Sequence, residues 1–159
     1  MGFDGYKGIK GNKVSFAASK DGLPLSFSVA PGNVHDSKLY FKTVQGIKVK
    51  QLGKKALNKP NVINADAAYD SKKIREYNRR RGIRSNIPQN RRNRKKEKKK
   101  RGRPCRMKKE EYKHRRSVER LFGWLKSFKR IAVRYEKLAS TYTTFILLAC
   151  ILILWRVLK

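Results

Sequence analysis

The first clear pattern in the chain is a pair of segments in which apolar residues alternate with polar ones or run together. They cover Lys13–Ser19 and Leu23–Ala30, and Asp21 and Gly22 lie between them. An Asp-Gly pair between two such segments is typical of the tight turn of a β-hairpin. The pattern therefore predicts two antiparallel strands, preceded by a Gly- and Lys-rich loop over residues 1–12.

After the hairpin, the spacing of apolar residues changes between the helical and the strand period. Asp36 stands where a helix N-cap is expected, with apolar residues following at helical spacing. The elements predicted after this helix are strands over Asn61–Ala65 and Ile83–Ile87 and helices over Ser71–Arg81, Lys108–Arg130 and Thr141–Val157. This order predicts a single α/β domain with a mixed sheet, and 159 residues are too few for two large domains.

The last predicted helix contains the apolar run Phe145–Trp155. Eleven consecutive apolar residues fall short of the roughly 20 that span a bilayer. A buried core helix is therefore the favoured interpretation, and a membrane-associated peptide is the alternative.

The net charge of the chain indicates a class of binding partner. The chain has 42 Lys and Arg against 11 Asp and Glu, a formal net charge of +31. So large an excess destabilises a compact monomer and favours a polyanionic partner. Nucleic acid fits best, because each neutralised phosphate releases a counterion. The two cysteines, Cys105 and Cys150, have neither the spacing of zinc ligands nor the density of a disulfide framework. A zinc-binding protein and a disulfide-stabilised protein are therefore excluded.

Much of the basic charge is concentrated between two predicted elements. Residues 91–103 read RRNRKKEKKKRGR, with ten basic side chains in thirteen positions. Such dense like charge opposes burial, so a flexible loop is expected over residues 89–108. It is equally compatible with a DNA-contacting arm and with a solvated loop that has no specific role.

The few acidic residues can be weighed one by one. Asp66 ends a short apolar strand, where open α/β sheets place ligand-binding groups, and Glu119 lies within a basic helix. At about 100° per residue, Tyr112, Arg115, Glu119 and Lys126 fall within one arc of about 60°. An apolar stripe lies beside this arc, at Val118, Leu121, Leu125, Phe128 and Ala132. A solvated helix face with an Arg115–Glu119 pair worth only ~0.3–0.5 kcal/mol explains the same spacing.

The stretch from Tyr112 to Lys126 reads YKHRRSVERLFGWLK. It has the spacing Y-x2-R-x3-E-x6-K and resembles the signature of one large branch of insertion-sequence DDE transposases. The upstream segments NADAAYDS and PLSFSVAPGNVHDSK are also similar to this family, as is the apolar run near the carboxyl end. The resemblance covers nearly the whole chain, residues 1–159, as the C-terminal part of a catalytic domain.

The resemblance implies an RNase H-like mixed sheet flanked by helices, and metal-dependent DNA strand cleavage and strand transfer. It also implies two Mg²⁺ ions, for which Mn²⁺ can substitute, and double-stranded DNA at the transposon ends and the target. A cytoplasmic, nucleoid-associated homodimer without a membrane partner is expected.

By position, Asp66 matches the second acid of the family's catalytic triad and Glu119 the third, and both are expected to bind metal. Asp70 fits a helix N-cap better than a metal role. The residues expected to contact DNA are Tyr112, Arg115, Lys126, Arg91, Arg92, Arg94, Lys95 and Lys96.

The family's first catalytic aspartate lies on an opening strand upstream of the segment that resembles Gly2–Gly11. Asp4, Asp21 and Asp36 are poor substitutes, because they lie in a loop, a turn and a capping position. We therefore expect the sheet to lack its first strand and the chain to be poorly soluble and inactive alone. It is either a remnant or one part of an active site completed by a product encoded upstream. A non-catalytic, basic nucleic-acid-binding protein is the alternative function.

Overall fold

The computed structural model describes residues 2–5, 8–51, 53–90 and 107–158. The strands are β1 Gly2–Asp4, β2 Ile9–Ala18, β3 Pro24–Pro31, β4 Val49–Gln51, β5 Lys54–Leu57, β6 Val62–Asn64 and β7 Arg84–Asn86. The helices are α1 Asp36–Gln45, α2 Lys72–Arg80, α3 Lys109–Tyr112, α4 Arg116–Lys126, α5 Lys129–Ala132 and α6 Ala139–Leu158, with 3-10 turns at Ala67–Tyr69 and Lys113–Arg115. The predicted α/β class is confirmed.

The predicted hairpin is present as β2 and β3, which pair antiparallel from Asn12↔Pro31 to Ala18↔Pro24. Its turn contains Gly22 at φ +91°, a backbone conformation that favours glycine. A Cβ atom at Gly22 would lie 3.3 Å from the carbonyl oxygen of Ser117, so the turn packs closely against α4. The predicted loop over residues 1–12 is wrong, since β1 pairs antiparallel with the start of β2.

The second sheet joins β6 and β7 in parallel, from Val62↔Arg84 to Asn64↔Asn86, with α2 as the crossover helix. The predicted cap at Asp70 is wrong, because α2 begins after Ser71, whose side chain accepts the Ile74 N–H. The cap at Asp36 is wrong as well, since the imidazole of His35 accepts the Ser37 N–H. The short antiparallel pair of β4 and β5 lies in a Lys-rich connector for which no strand was predicted.

The predicted helix over Lys108–Arg130 is divided into three parts by two changes in backbone conformation. The 3-10 turn Lys113–Arg115 separates α3 from α4, and Phe128, at φ −85° and ψ 105°, separates α4 from α5. Because a 3-10 turn rotates by about 120° per residue, residues three positions apart are eclipsed, and Tyr112 stays on the same side of the chain as Arg115. The apolar stripe is confirmed at its centre, where Leu121 and Leu125 are buried, but Ala132 is exposed.

Two apolar clusters hold these elements together. One joins α4 and α6 to the hairpin and contains Leu121, Leu125, Tyr142, Ile146, Ala149, Cys150 and Ile153, with Phe16 and Phe27 stacked against it. The other joins α1, α2 and β7 through Tyr40, Val44, Ile74, Ile83 and Ile87. Within it the Tyr40 hydroxyl donates to Asn78, and burial raises the tyrosine pKa to about 12.

Helix α6 is buried on one face only. Ile146 and Ala149 lie in the core, whereas the opposite face exposes the apolar side chains of Leu147, Leu148, Ile151, Leu152 and Trp155. The prediction of a buried core helix is therefore wrong for this face. By length and composition, the segment Ala139–Val157 could cross a membrane. Cys150 is a buried free thiol whose pKa burial raises to about 11; Cys105 lies outside the described residues.

Two leucine truncations compare the cluster between α4 and α6 with the exposed face of α6. We expect Leu121→Ala to destabilise the fold by about 2–5 kcal/mol, because it leaves a cavity in the first cluster. The control Leu148→Ala, on the exposed face of α6, should cost no more than about 0.5 kcal/mol. Urea unfolding followed by tryptophan fluorescence measures both, and equal losses would contradict the burial of Leu121 in the first cluster and the exposure of Leu148 on α6.

Candidate functional site

Asp66 lies two residues after Asn64, the last residue of β6, at the carboxyl end of that strand. Its backbone is extended, and its side chain accepts the Ala67 N–H at 2.7 Å, which starts the 3-10 turn after the strand. The carboxylate is 60% exposed. Asp66 therefore caps a turn with one oxygen and leaves the other available to charged neighbours.

Arg115 brings Asp66 together with Glu119. Its Nη2 lies 2.9 Å from Glu119 Oε1, and its Nη1 lies 3.8 Å from Asp66 Oδ2. Asp66 comes from the end of β6 and Glu119 from the first turns of α4, so one guanidinium joins two elements. The structure thus confirms the Arg115–Glu119 pair and adds a partner from outside the helix.

Tyr112 completes this cluster. The guanidinium carbon of Arg115 lies 5.9 Å from the centroid of the Tyr112 ring, within the range of a cation–π contact. Burial raises the pKa of Tyr112, the positive charge of Arg115 opposes this rise, and the charges of Asp66 and Glu119 add to it. The phenol therefore stays protonated at neutral pH and can donate a hydrogen bond.

Lys126, the fourth residue of the signature, lies further along α4. Together with Glu119 it lines a cavity of about 650 Å³, between α4 and the start of β2. Glu119 therefore faces Arg115 on one side and the cavity shared with Lys126 on the other.

A larger cleft of about 670 Å³ opens beside Asp66. It is lined by consecutive residues of β2, from Val14 to Ala18, and by consecutive residues of β6, from Val62 to Asn64. Helix α1 and the segment from Glu111 to Phe122 also contribute to its lining. Because successive residues of each strand line the cleft, it is bounded by strand edges. Among the described strands, β6 pairs only with β7.

The other candidate acids have structural partners. Asp70 accepts hydrogen bonds from Arg75 Nε at 2.7 Å and from the Asn90 N–H at 2.8 Å. Asp36 forms an ion pair with Lys13 at 3.4 Å, and Asp21 lies in the hairpin turn. No group of three or more His, Cys, Asp or Glu side chains that could hold a metal ion occurs in the described ranges.

The basic residues Arg91, Arg92, Arg94, Lys95 and Lys96 lie outside the described residues. The chain on either side of them is held in place. Asn90 is bonded to Asp70, and the N–H and carbonyl of Lys108 both bond to the side chain of Asn86.

Sequence reasoning missed Arg84 and Glu111, which both line the cleft. Arg84 Nη2 lies 2.6 Å from Glu111 Oε2, and this hydrogen bond lowers the pKa of the Glu111 carboxyl. The two residues are 27 positions apart in the sequence, and no sequence periodicity predicts a pair at that separation.

The comparisons with known proteins agree with one another. The family model described as "Transposase DDE domain" matches residues 2–154. The putative transposase for insertion sequence element IS402 of Burkholderia cepacia is 30% identical over 155 residues, which are 94% of this chain and 65% of that protein. The chain thus spans slightly less than two thirds of the length of this relative. No solved structure matches the chain.

The different surroundings of Asp70 and Asp66 lead to a prediction about stability. We expect Asp70→Asn to destabilise the fold by about 1–3 kcal/mol, because it weakens charged hydrogen bonds to half-buried partners. Asp66→Asn should cost less than about 1 kcal/mol, since its ion pair is long and exposed. Urea unfolding of both variants provides the comparison, and a larger loss for Asp66→Asn would show that its role is structural.

Proposed function

The chain belongs to the DDE transposase family, and from this premise we propose that it forms part of an active site for DNA cleavage and strand transfer. Residues 1–159 then constitute one partial catalytic domain of RNase H-like architecture. The observation that supports this proposal best is the meeting of Asp66 and Glu119, from separate elements, on the guanidinium of Arg115.

The donor chemistry of this pair suits Mg²⁺ or Mn²⁺. Both ions accept carboxylate oxygens, and both carboxylates are more than half exposed, so a cation can reach them. Asp66 and Glu119 would hold the ions. When bound, a divalent ion polarises the phosphodiester and lowers the pKa of its water.

Two carboxylates are fewer than a two-metal centre needs, because such a centre requires a ligand shared between the ions. We infer that a further carboxylate comes from a segment outside residues 1–159. The cleft between β2 and β6 supports this, since it offers a strand-sized space between two strand edges and ends beside Asp66. The five residues of β2 that line it, Val14 to Ala18, extend over about 17 Å, the length of an ordinary strand.

The remaining members of the signature would contact phosphates of the cut strand. Tyr112 has a protonated hydroxyl that can donate to a phosphate oxygen. Arg115 offers a planar fork for bidentate contact, and Lys126 a compact charge beside Glu119. We propose that the basic residues from Arg91 to Lys96 add contacts without base specificity. A cytoplasmic, nucleoid-associated homodimer on transposon-end and target DNA completes the proposal.

The experiment that tests this proposal joins the chain to the part of a transposase that provides the further carboxylate. We expect the 159-residue chain with Mg²⁺ to leave DNA carrying its element's own ends uncut, and the joined protein to cut it. In the joined protein, Asp66→Asn and Glu119→Gln should each abolish cleavage and retain DNA binding.

The matched control is Glu110→Gln. Glu110 is exposed, pairs only with Lys113 among the described residues, and lies outside the Arg115 cluster. Cleavage should therefore persist in this variant. Cleavage by the 159-residue chain unaided would contradict the need for a further carboxylate, and cleavage by Glu119→Gln would contradict the site.

A non-catalytic nucleic-acid-binding protein is the second candidate, and the net charge of +31 favours it. Both candidates predict that the logarithm of DNA affinity falls linearly with the logarithm of salt concentration, by about 0.9 per phosphate contacted. They differ in the presence of Mn²⁺. A catalytic site predicts that Mn²⁺ changes the DNA affinity of the chain but not that of Glu119→Gln. A simple binding protein predicts no difference between the two, as fluorescence anisotropy with duplex DNA can show.

A further inference from the structure

The guanidinium of Arg115 occupies the place between the two carboxylates. Its two terminal nitrogens each face one of them, Nη1 toward Asp66 and Nη2 toward Glu119. Without this cation, the carboxylates would repel each other across the space that they share. Arg115 therefore neutralises part of the charge that a divalent ion would otherwise neutralise.

We propose that Arg115 is an exchangeable counter-cation, which holds Asp66 and Glu119 together until a divalent metal ion takes its place and then turns to a DNA phosphate. The proposal rests on the proposed function for the identity of the site. It goes further in giving one residue two successive anionic partners, a carboxylate pair and a phosphodiester.

The surroundings of the pair indicate exchange and not a permanent structural bond. Asp66 and Glu119 are 60% and 56% exposed, and the Asp66 contact is 3.8 Å long. Exposed ion pairs of this kind stabilise folded proteins little, so the fold does not depend on Arg115 staying in place. Asp70 and Arg75 are a contrast within the same chain, since they are half-buried and 2.7 Å apart.

The position of Arg115 in the backbone also suits a change of partner. It ends the 3-10 turn between α3 and α4 and is only one third exposed. The Tyr112 ring lies 5.9 Å from its guanidinium carbon. A guanidinium that leaves the carboxylates can therefore remain beside the ring, close to the site, while its planar fork donates two hydrogen bonds to a phosphate.

The exchange makes two predictions of opposite sign for the substitution Arg115→Gln. In the absence of DNA, Mn²⁺ no longer competes with a positive charge and should bind more tightly. In the presence of Mn²⁺, duplex DNA should bind more weakly, because a phosphate ligand has been removed. If Arg115 were purely structural, its substitution would weaken the binding of both Mn²⁺ and DNA. If Arg115 contacted only DNA, its substitution would leave Mn²⁺ binding unchanged.

The experiment titrates the full chain with MnCl₂ in the absence of DNA and measures free Mn²⁺ by electron paramagnetic resonance. The control is Arg116→Gln, which removes the same charge from the exposed neighbouring residue. We expect Arg115→Gln to bind Mn²⁺ about thirty-fold more tightly than this control, the effect in water of removing one unit charge about 4 Å from a divalent ion. Arg115→Lys, which keeps the charge, should stay close to the unsubstituted chain.

Each other result overturns the exchange. Equal or weaker Mn²⁺ binding by Arg115→Gln would show that Arg115 does not compete with the metal, and loss of folding would show that it is structural. Asp66→Asn separates these failures from failure of the proposed function. If it binds Mn²⁺ as well as the unsubstituted chain, the metal lies elsewhere, and both proposals fail together. If it binds Mn²⁺ poorly while Arg115→Gln shows no gain, the exchange alone fails.

Discussion

Leu121 and Leu125 are buried between α6 and the hairpin, and the positions of the α4 residues in the candidate site follow from that packing. Glu119 lies on α4 two residues before Leu121, so its direction is set by the face that the two leucines bury. The turn at Gly22 packs against the backbone of the same helix at Ser117. A helix held on two sides presents its carboxylate in one place, which is what an oxygen-ligand site for a metal ion requires.

Charge is the second constraint, and it acts in the opposite direction from packing. With a net charge of +31, any carboxylate in this chain is attracted to several cations, and most of the described acids are indeed paired with Lys or Arg. Asp66 and Glu119 differ because they share a single cation and remain more than half exposed. The excess of basic charge thus keeps a carboxylate pair assembled, while the exposure leaves it open to a stronger cation.

The sequence was sufficient to predict features that depend on local patterns. It was insufficient for the capping residue of a helix and for contacts between residues far apart in the chain. The Asp-Gly turn located the hairpin, and the signature located Glu119 and Arg115 on neighbouring turns. The caps at Asp36 and Asp70 were each misplaced by one residue, because the side chain of the neighbouring residue, His35 or Ser71, accepts the capping hydrogen bond. The contact between Arg115 and Asp66 joins residues 49 positions apart, and no periodicity predicts it. The 3-10 turn keeps Tyr112 beside Arg115, because residues three positions apart are eclipsed there, and the Tyr112 ring lies 5.9 Å from the guanidinium carbon of Arg115.

The open cleft and the exposed face of α6 can be understood as two unsatisfied surfaces of one chain. The cleft exposes the edges of β2 and β6, which carry backbone groups able to pair with a further strand. The face of α6 exposes a row of large apolar side chains on the far side of a helix that supports α4. A strand added in the cleft would lie between β2 and β6, with its end beside Asp66 and Arg115. On the proposed function, backbone pairing and completion of the carboxylate set would then occur in one event.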